Sequence, residues 1–359
     1  MEQLTIITVG TPNPRLEKLL SYWGENRLTA LPNSFQNQRL LLAVSLDKIG
    51  LCDGLHSLLS TLRKCTDCLE GSVAGIVVDG ANALYTKSVA REIVFAANCA
   101  GCTFVGRSLV EGVATLDNFT VQASNGDCSL LEAYEKAVSD LIARIVTFAP
   151  PRQETPHLLT LHASTYGPSN TMDLWSLVQH QLPTQWTVQE VGLRNGAVSD
   201  CAGCPYTTCL HFGEEGRCFY GGVMVDDVYP ALRQAQAVML LCPNYNDALS
   251  ANLTACINRL TALYRTTDFT HKAVYALVVS GYSGGDIVAK QVISALSMNK
   301  GFYLPSRFCR MELAQQPSEA LALTGIKERM VDFGEQITYE LDGRTQLRNM
   351  IMTKKNPIA

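Results

Sequence analysis

Short apolar runs alternate with amphipathic stretches along most of this chain. LLLAVSL at 40–46 reads as a buried strand, 54–70 as a helix and VAGIVVDG at 73–80 as a strand. Residues 86–100 read as a helix, CTFVGRSLV at 102–110 as a strand, and 129–148 as a long amphipathic helix. Apolar strands alternating with helices of this length predict parallel strands joined by crossover helices. APPRQETPH at 149–157 interrupts the pattern with three prolines and charge. It predicts a boundary between domains spanning 1–150 and 155–359.

The alternation then resumes. Strands are predicted at 158–164, 186–193, 237–243, 273–281 and 307–313. Helices are predicted at 171–182, 226–235, 248–265, 286–299 and 317–334, and the tail TKKNPIA as loose chain. The fold class is therefore α/β, two doubly wound parallel-sheet domains. The two halves share short look-alike pieces, which fit either a degenerate flavodoxin-like repeat or, given so few identities, common α/β patterning.

Composition narrows the function. The 359 residues are 47 % hydrophobic and 17 % charged, with a net charge of -4. That is a globular chain without the basic balance of a nucleic-acid or anionic-membrane binder. No stretch is apolar for the roughly 18 residues a membrane span needs. MEQLTIITVG lacks a signal-peptide pattern, so a cytoplasmic location is expected. Thirteen cysteines, an odd number in so long a chain, point to reduced thiols, some of them ligands.

Three loops follow strands whose C-terminal ends should lie side by side, where open parallel sheets bind ligands. The first runs from Ser164 through Tyr166 to Ser169, Asn170 and Thr171. Hydroxyl and amide groups at a helix start can hold a phosphate without a cation, and the same residues are ordinary helix caps. The second is Pro243, Asn244, Tyr245, Asn246 and Asp247. There a ring could pack on Tyr245 while amides meet the ring's polar edge. The third, Ser280, Gly281, Tyr282, Ser283, Gly284 and Gly285, lets backbone approach a ligand closely.

In order and spacing these loops, over about 158–310, resemble the FMN-dependent NAD(P)H oxidoreductases of the flavodoxin-like superfamily, in the branch that includes the iron-sulfur flavoproteins. That family opens on Ser-Pro-Arg-x-x-Ser-Asn-Thr. Ser164, Ser169, Asn170 and Thr171 keep the frame, while Thr165 and Tyr166 replace Pro and Arg. Pro243, Tyr245, Ser250, Leu253, Ile257 and Arg259 fall in register with its ring-binding stretch. Cys242, Thr254, Cys256 and Asn258 depart from it, and Asp247 stands where glycine is usual. Asp226-Asp227-Val228 matches the helix start after the family's cysteine loop. The resemblance implies an FMN whose phosphate is held by the 164–171 loop, Tyr166 included. The ring would be lined by Pro243 to Asp247 and by Ser280 to Gly285. It also implies NAD(P)H as donor, a small-molecule or protein electron acceptor, and a homodimer.

Cys201-x2-Cys204-x4-Cys209-x8-Cys218 is the densest cysteine cluster. Four thiolates in one loop can close on a [4Fe–4S] cluster or a tetrahedral zinc, or remain plain thiols. Cys65-x2-Cys68 and Cys99-x2-Cys102 form a looser set and read as packed thiols. The expected function is FMN-dependent transfer of electrons from NAD(P)H to an acceptor, with an iron-sulfur cluster as a further carrier. An electron carrier without substrate chemistry and a flavin-free scaffold are the rival readings.

Overall fold

A computed structural model describes residues 4–23, 26–164 and 169–355, with side chains to residue 351. The chain divides into two compact units. One comprises Met1–Ala149 with Ser297–Arg307, the other Pro150–Leu296 with Phe308–Ala359.

The first unit runs β1 (Leu4–Val9), α1 (Pro14–Trp23), β2 (Arg27–Leu28), β3 (Arg39–Leu46), α2 (Leu55–Lys64), β4 (Val73–Gly80), α3 (Thr86–Cys99), β5 (Thr103–Gly112), α4 (Thr120–Gly126) and α5 (Leu130–Thr147). Its parallel sheet has the order β2-β1-β3-β4-β5. The eight residues of β4 are all buried, as expected of a central strand covered on both faces. One core layer joins Ile6, Leu41 and Val77 of the sheet to Leu141, Ile142 and Ile145 of α5. Ser129 and Glu132 close a capping box at the start of α5, satisfying donors that a helix leaves open.

The second unit continues with β6 (His157–His162), α6 (Asn170–Gln179), β7 (Thr187–Gly192), α7 (Tyr206–Glu214), α8 (Tyr229–Gln234), β8 (Ala237–Asn244), α9 (Ala251–Leu263), β9 (Ala273–Ser280), α10 (Gly285–Val292), β10 (Cys309–Leu313), α11 (Ile326–Leu341) and α12 (Thr345–Lys355). Its order, β10-β9-β8-β6-β7, is the same arrangement written from the other edge. All pairings in both sheets are parallel. The chain is thus a doubled flavodoxin-like α/β fold, with a switch point beside the first strand of each unit. No helix among the described residues is long and apolar enough to cross a membrane.

Several elements differ from the sequence reading. The strand LTIITV and the helix after it went unassigned, although both carry ordinary patterns. Helix α2 stops at Lys64, six residues early, because Cys65 turns to an extended conformation. The helix expected at 317–334 is a short turn at Glu319–Ala322 followed by α11. Gly325, at φ 69°, separates the two, and the buried stripe Ile326, Met330, Phe333, Ile337, Leu341 sets the true helix. Thr353–Lys355, expected to be loose, continue α12.

The excursion 297–307 had no counterpart in the pattern. Phe104 and Leu304 exchange backbone hydrogen bonds, each 2.9 Å. Asn98 Nδ2 donates to the Pro305 carbonyl at 2.7 Å. The Tyr303 ring meets Phe148 edge-on at 5.2 Å.

Candidate functional site

The crest of the second sheet holds a cleft of about 800 Å³, within the range of small-molecule sites. The ends of β6, β8 and β9 meet there, as does the chain leaving β10. Parallel strands carry their side chains to this edge and release them into loops, so the loops converge although they are far apart in sequence.

Ser164 leaves β6 on one wall, and Ser169, Asn170 and Thr171 form the start of α6 beside it. Tyr166 lies outside the described residues. The Ser169 side chain does not cap α6 but lies 3.0 Å from the Thr171 hydroxyl. The first-turn N–H groups have no partner within the helix, a natural seat for an anion. Asn170 is differently employed. Its amide donates to the Gln316 carbonyl at 2.9 Å and accepts from the Ala320 N–H at 3.1 Å. It braces the loop after β10 and has little left to offer a phosphate.

Facing this wall, β8 ends in a tight turn. The Ala248 N–H donates to the Tyr245 carbonyl, with Asn246 and Asp247 at φ 56° and 57°. Two successive left-handed residues define the turn type that favours Asn and Asp next to glycine. Asp247 therefore fills the family's glycine position without breaking the turn. Gln291 clamps the turn, donating to the Asp247 carbonyl at 2.9 Å and accepting from Leu249 N–H at 2.9 Å.

Asn244 Nδ2 donates to Ser280 Oγ at 3.1 Å and to Asp247 Oδ1 at 3.3 Å. Its Oδ1 is buried with no partner, as is the Ser250 hydroxyl at the start of α9. Both residues line the cleft. An unpaired buried polar atom is costly, and here two of them belong to residues that line the cleft.

Pro243, Asn246, Gly281 and Tyr282 also line the cleft, whereas Asp247, Ser280, Gly284 and Gly285 stand behind its wall. Gly284 has φ 102°, and a Cβ there would collide with the Asp247 carboxylate. Tyr245 and Tyr282 stand on the rim, 66 % and 71 % exposed. The Tyr282 hydroxyl accepts from Gln315 Nε2 at 2.8 Å.

No charged side chain is among the described lining residues. Sequence reasoning missed Asn195, Asn252 and Gln315 as lining residues. Asn252 Nδ2 donates to the Leu193 carbonyl at 2.7 Å and to Asn195 Oδ1 at 3.1 Å, tying the loop after β7 to α9. Their only sequence signal is position after a strand or at a helix start, which many loop amides share.

The structure gathers the cysteine loop around one space. Cys201, Cys204, Cys209 and Cys218 do surround one small cavity of about 90 Å³, together with Phe212, Phe219 and Tyr220. Yet all four are free thiols, and among the described residues no three His, Cys, Asp or Glu side chains are placed to hold a metal. Helix α7 carries Cys209, and Phe212, Phe219 and Tyr220, stacked edge-to-face on one another, line the same cavity. His211 packs edge-on against Phe212 at 5.2 Å. Cys65, Cys68, Cys99 and Cys102 are free as well, Cys68 and Cys102 buried.

The model of the NADPH-dependent FMN reductase family matches residues 156–315. The second unit accordingly has the flavodoxin-like fold of FMN-binding oxidoreductases. No curated protein matches the chain. Among solved structures, an apo NADH:FMN oxidoreductase (EMOB) is 12 % identical at TM-score 0.37, covering 57 % of this chain and 100 % of its own. An FMN-dependent NADH-azoreductase from Bacillus anthracis, in complex with FMN, is 9 % identical at TM-score 0.36, covering 51 % and 99 %. The NAD(P)H:quinone oxidoreductase from Methanothermobacter marburgensis is 14 % identical at TM-score 0.38, covering 51 % and 95 %.

Proposed function

We propose that the second unit binds FMN in the crest cleft and oxidises NAD(P)H, passing the electrons to a small-molecule or protein acceptor. The observation that carries this reading is a cleft of about 800 Å³ between the starts of α6 and α9, lined by hydroxyl and amide residues and by no described charged side chain. The family match over 156–315 supports it.

The residues present fit the cofactor. Ser164, Ser169, Thr171 and the first turn of α6 would hold the phosphate by hydrogen bonds and the helix dipole, without a cation. Tyr166 belongs to the same loop and the same expectation. Pro243, Asn244, Tyr245, Asn246, Gly281 and Tyr282 would line the ring, with Asp247, Ser280, Gly284 and Gly285 setting the turns that present them. Bound FMN supplies a two-electron acceptor that takes hydride from a stacked nicotinamide. The chain's own work is then to bind, orient and desolvate the two rings. Asn244 offers an acceptor toward a ring N–H, and Ser250 offers a hydroxyl. Tyr245 and Tyr282 supply flat faces on the rim, where a second ring would enter. A second copy covering these exposed rings belongs to the same reading, and sedimentation would detect the homodimer.

Protein purified without oxygen and given FMN tests the reading. The expected result is bound FMN with an oxidised-flavin spectrum that bleaches on adding NADH or NADPH and returns with an acceptor. A protein that stays colourless with FMN in excess, or a bound flavin that neither nucleotide reduces, would overturn it.

A further inference from the structure

The bend after α2 places two thiols together in a way their spacing alone does not require. Cys65 leaves the helix in an extended conformation, and its sulfur accepts a hydrogen bond from the Cys68 N–H at 2.8 Å. The Cys68 sulfur is three bonds from that nitrogen, within reach of a rotation about its Cα–Cβ bond. The two differ in access. Cys65 is part-exposed and Cys68 is buried, 1 % exposed, with burial and the neighbouring Cys65 pushing its thiol up to about 12.

The bend is held from several sides. The Cys68 carbonyl accepts from Phe35 N–H at 2.7 Å, and Leu69 N–H donates to the Ala100 carbonyl at 3.0 Å. Arg307 donates to the Thr66 carbonyl at 2.7 Å and pairs with Glu70 at 2.6 Å. A bend braced in this way does not have to be ordered again when a bond forms across it.

We propose that Cys65 and Cys68 are a reversible redox modification site, at which a low-molecular-weight disulfide converts the two thiols to an intrachain disulfide. The part-exposed Cys65, as thiolate, attacks one sulfur of oxidised glutathione. A mixed disulfide forms at Cys65 and one glutathione thiolate leaves. Cys68 then gives up its proton and attacks the Cys65 sulfur, and the second glutathione leaves. Two protein thiols are oxidised by two electrons, and one glutathione disulfide is reduced to two thiols.

The position predicts the character of the pair. Burial, and then the neighbouring Cys65, keep the Cys68 thiol protonated, so the second attack is the slow one. The reduced form therefore lacks the stabilisation that makes some dithiols strong oxidants. The disulfide should form slowly and then resist reduction. This site is independent of the crest cleft, and of whether flavin binds there.

Trypsin makes the test clean, because the peptide Cys65–Lys87 contains no other cysteine. The folded full chain is incubated with oxidised glutathione, alkylated, digested and weighed. A two-hydrogen deficit within Cys65–Lys87, erased by dithiothreitol, is the expected result. In Cys68→Ser, glutathione should instead accumulate as a mixed disulfide on Cys65. Two outcomes would overturn the proposal. One is full alkylation of both thiols in wild type after prolonged oxidation. The other is a cross-link from Cys68 to buried Cys102, which would join Cys65–Lys87 to the peptide Glu92–Arg107.

Discussion

Arg15 grips Asp79 through two parallel hydrogen bonds at the crest of the first sheet, Nε to Oδ2 at 2.8 Å and Nη2 to Oδ1 at 2.6 Å. Arg15 opens α1 and Asp79 ends β4, so the pair closes the edge where the equivalent cleft of the second unit lies open. The Arg15 guanidinium also donates to the Val113 and Ala114 carbonyls. Asn13 and the Tyr134 hydroxyl complete the shell of Asp79 at 2.6 and 3.1 Å. One fold thus carries two different crests, with a buried ion pair at the end of β4 in one and a cleft lined by hydroxyls and amides in the other.

Breaking this pair should destabilise the first unit. The Asp79 side chain is fully buried and Arg15 is 20 % exposed. Removing one partner leaves the other charge stranded. Asp79→Ala or Arg15→Ala is expected to cost about 3–5 kcal/mol. Denaturant unfolding measures it, and a cost below about 1 kcal/mol would mean that water replaces the missing partner.

The chain should bind one FMN, not two, despite its doubled fold. The first crest presents the Arg15–Asp79 ion pair where the second has a cleft of about 800 Å³ without a described charged side chain. Flavin released by heat and measured against protein concentration gives the ratio. A value near two would show that the Arg15–Asp79 pair opens to admit a ligand.

Two asparagines in the cleft should behave differently. Asn244→Ala removes a lining amide whose oxygen has no partner and is expected to weaken FMN binding about tenfold, or about 1.4 kcal/mol. Asn170→Ala removes the brace on the loop after β10, so its main effect should be on unfolding, by about 1 kcal/mol. Flavin titration and thermal melts on both variants separate the roles, and reversal of the pattern would assign the phosphate contact to Asn170.

Acid should weaken the second unit through Asp342. Burial alone would raise this carboxyl, but hydrogen bonds from Arg344 and Trp186 outweigh it and hold it below its ordinary 3.8. The folded state then binds fewer protons than the unfolded chain in that range. The resulting stability is present above the unfolded value and is lost as pH falls through the folded one. Asp342→Asn should therefore be less stable than wild type at neutral pH, with the gap closing below about pH 4. A gap independent of pH would mean that shape, not charge, matters at this position.

Much of the fold was legible in the chain. LLLAVSL, VAGIVVDG and AVYALVVSG are continuous apolar runs because strands covered on both faces need them. The three crest loops were legible too, since turn residues after such strands have nowhere else to go. The cysteine spacing was legible as a cluster, and the fold gathers Cys201, Cys204, Cys209 and Cys218 around one cavity; what they hold is a matter of directions that spacing does not encode.

By itself, the sequence determined the alternation of strand and helix, and with it the parallel sheets and their ligand-facing edge. These follow from local periodicity and the geometry of crossovers. Only the tertiary structure decided which crest is filled and which is open. That rests on Arg15 meeting Asp79 across 64 residues, and on Asn170 bracing a loop 146 residues away. Such pairings depend on which side chains the folded sheet brings face to face, and no window of neighbouring residues contains both partners.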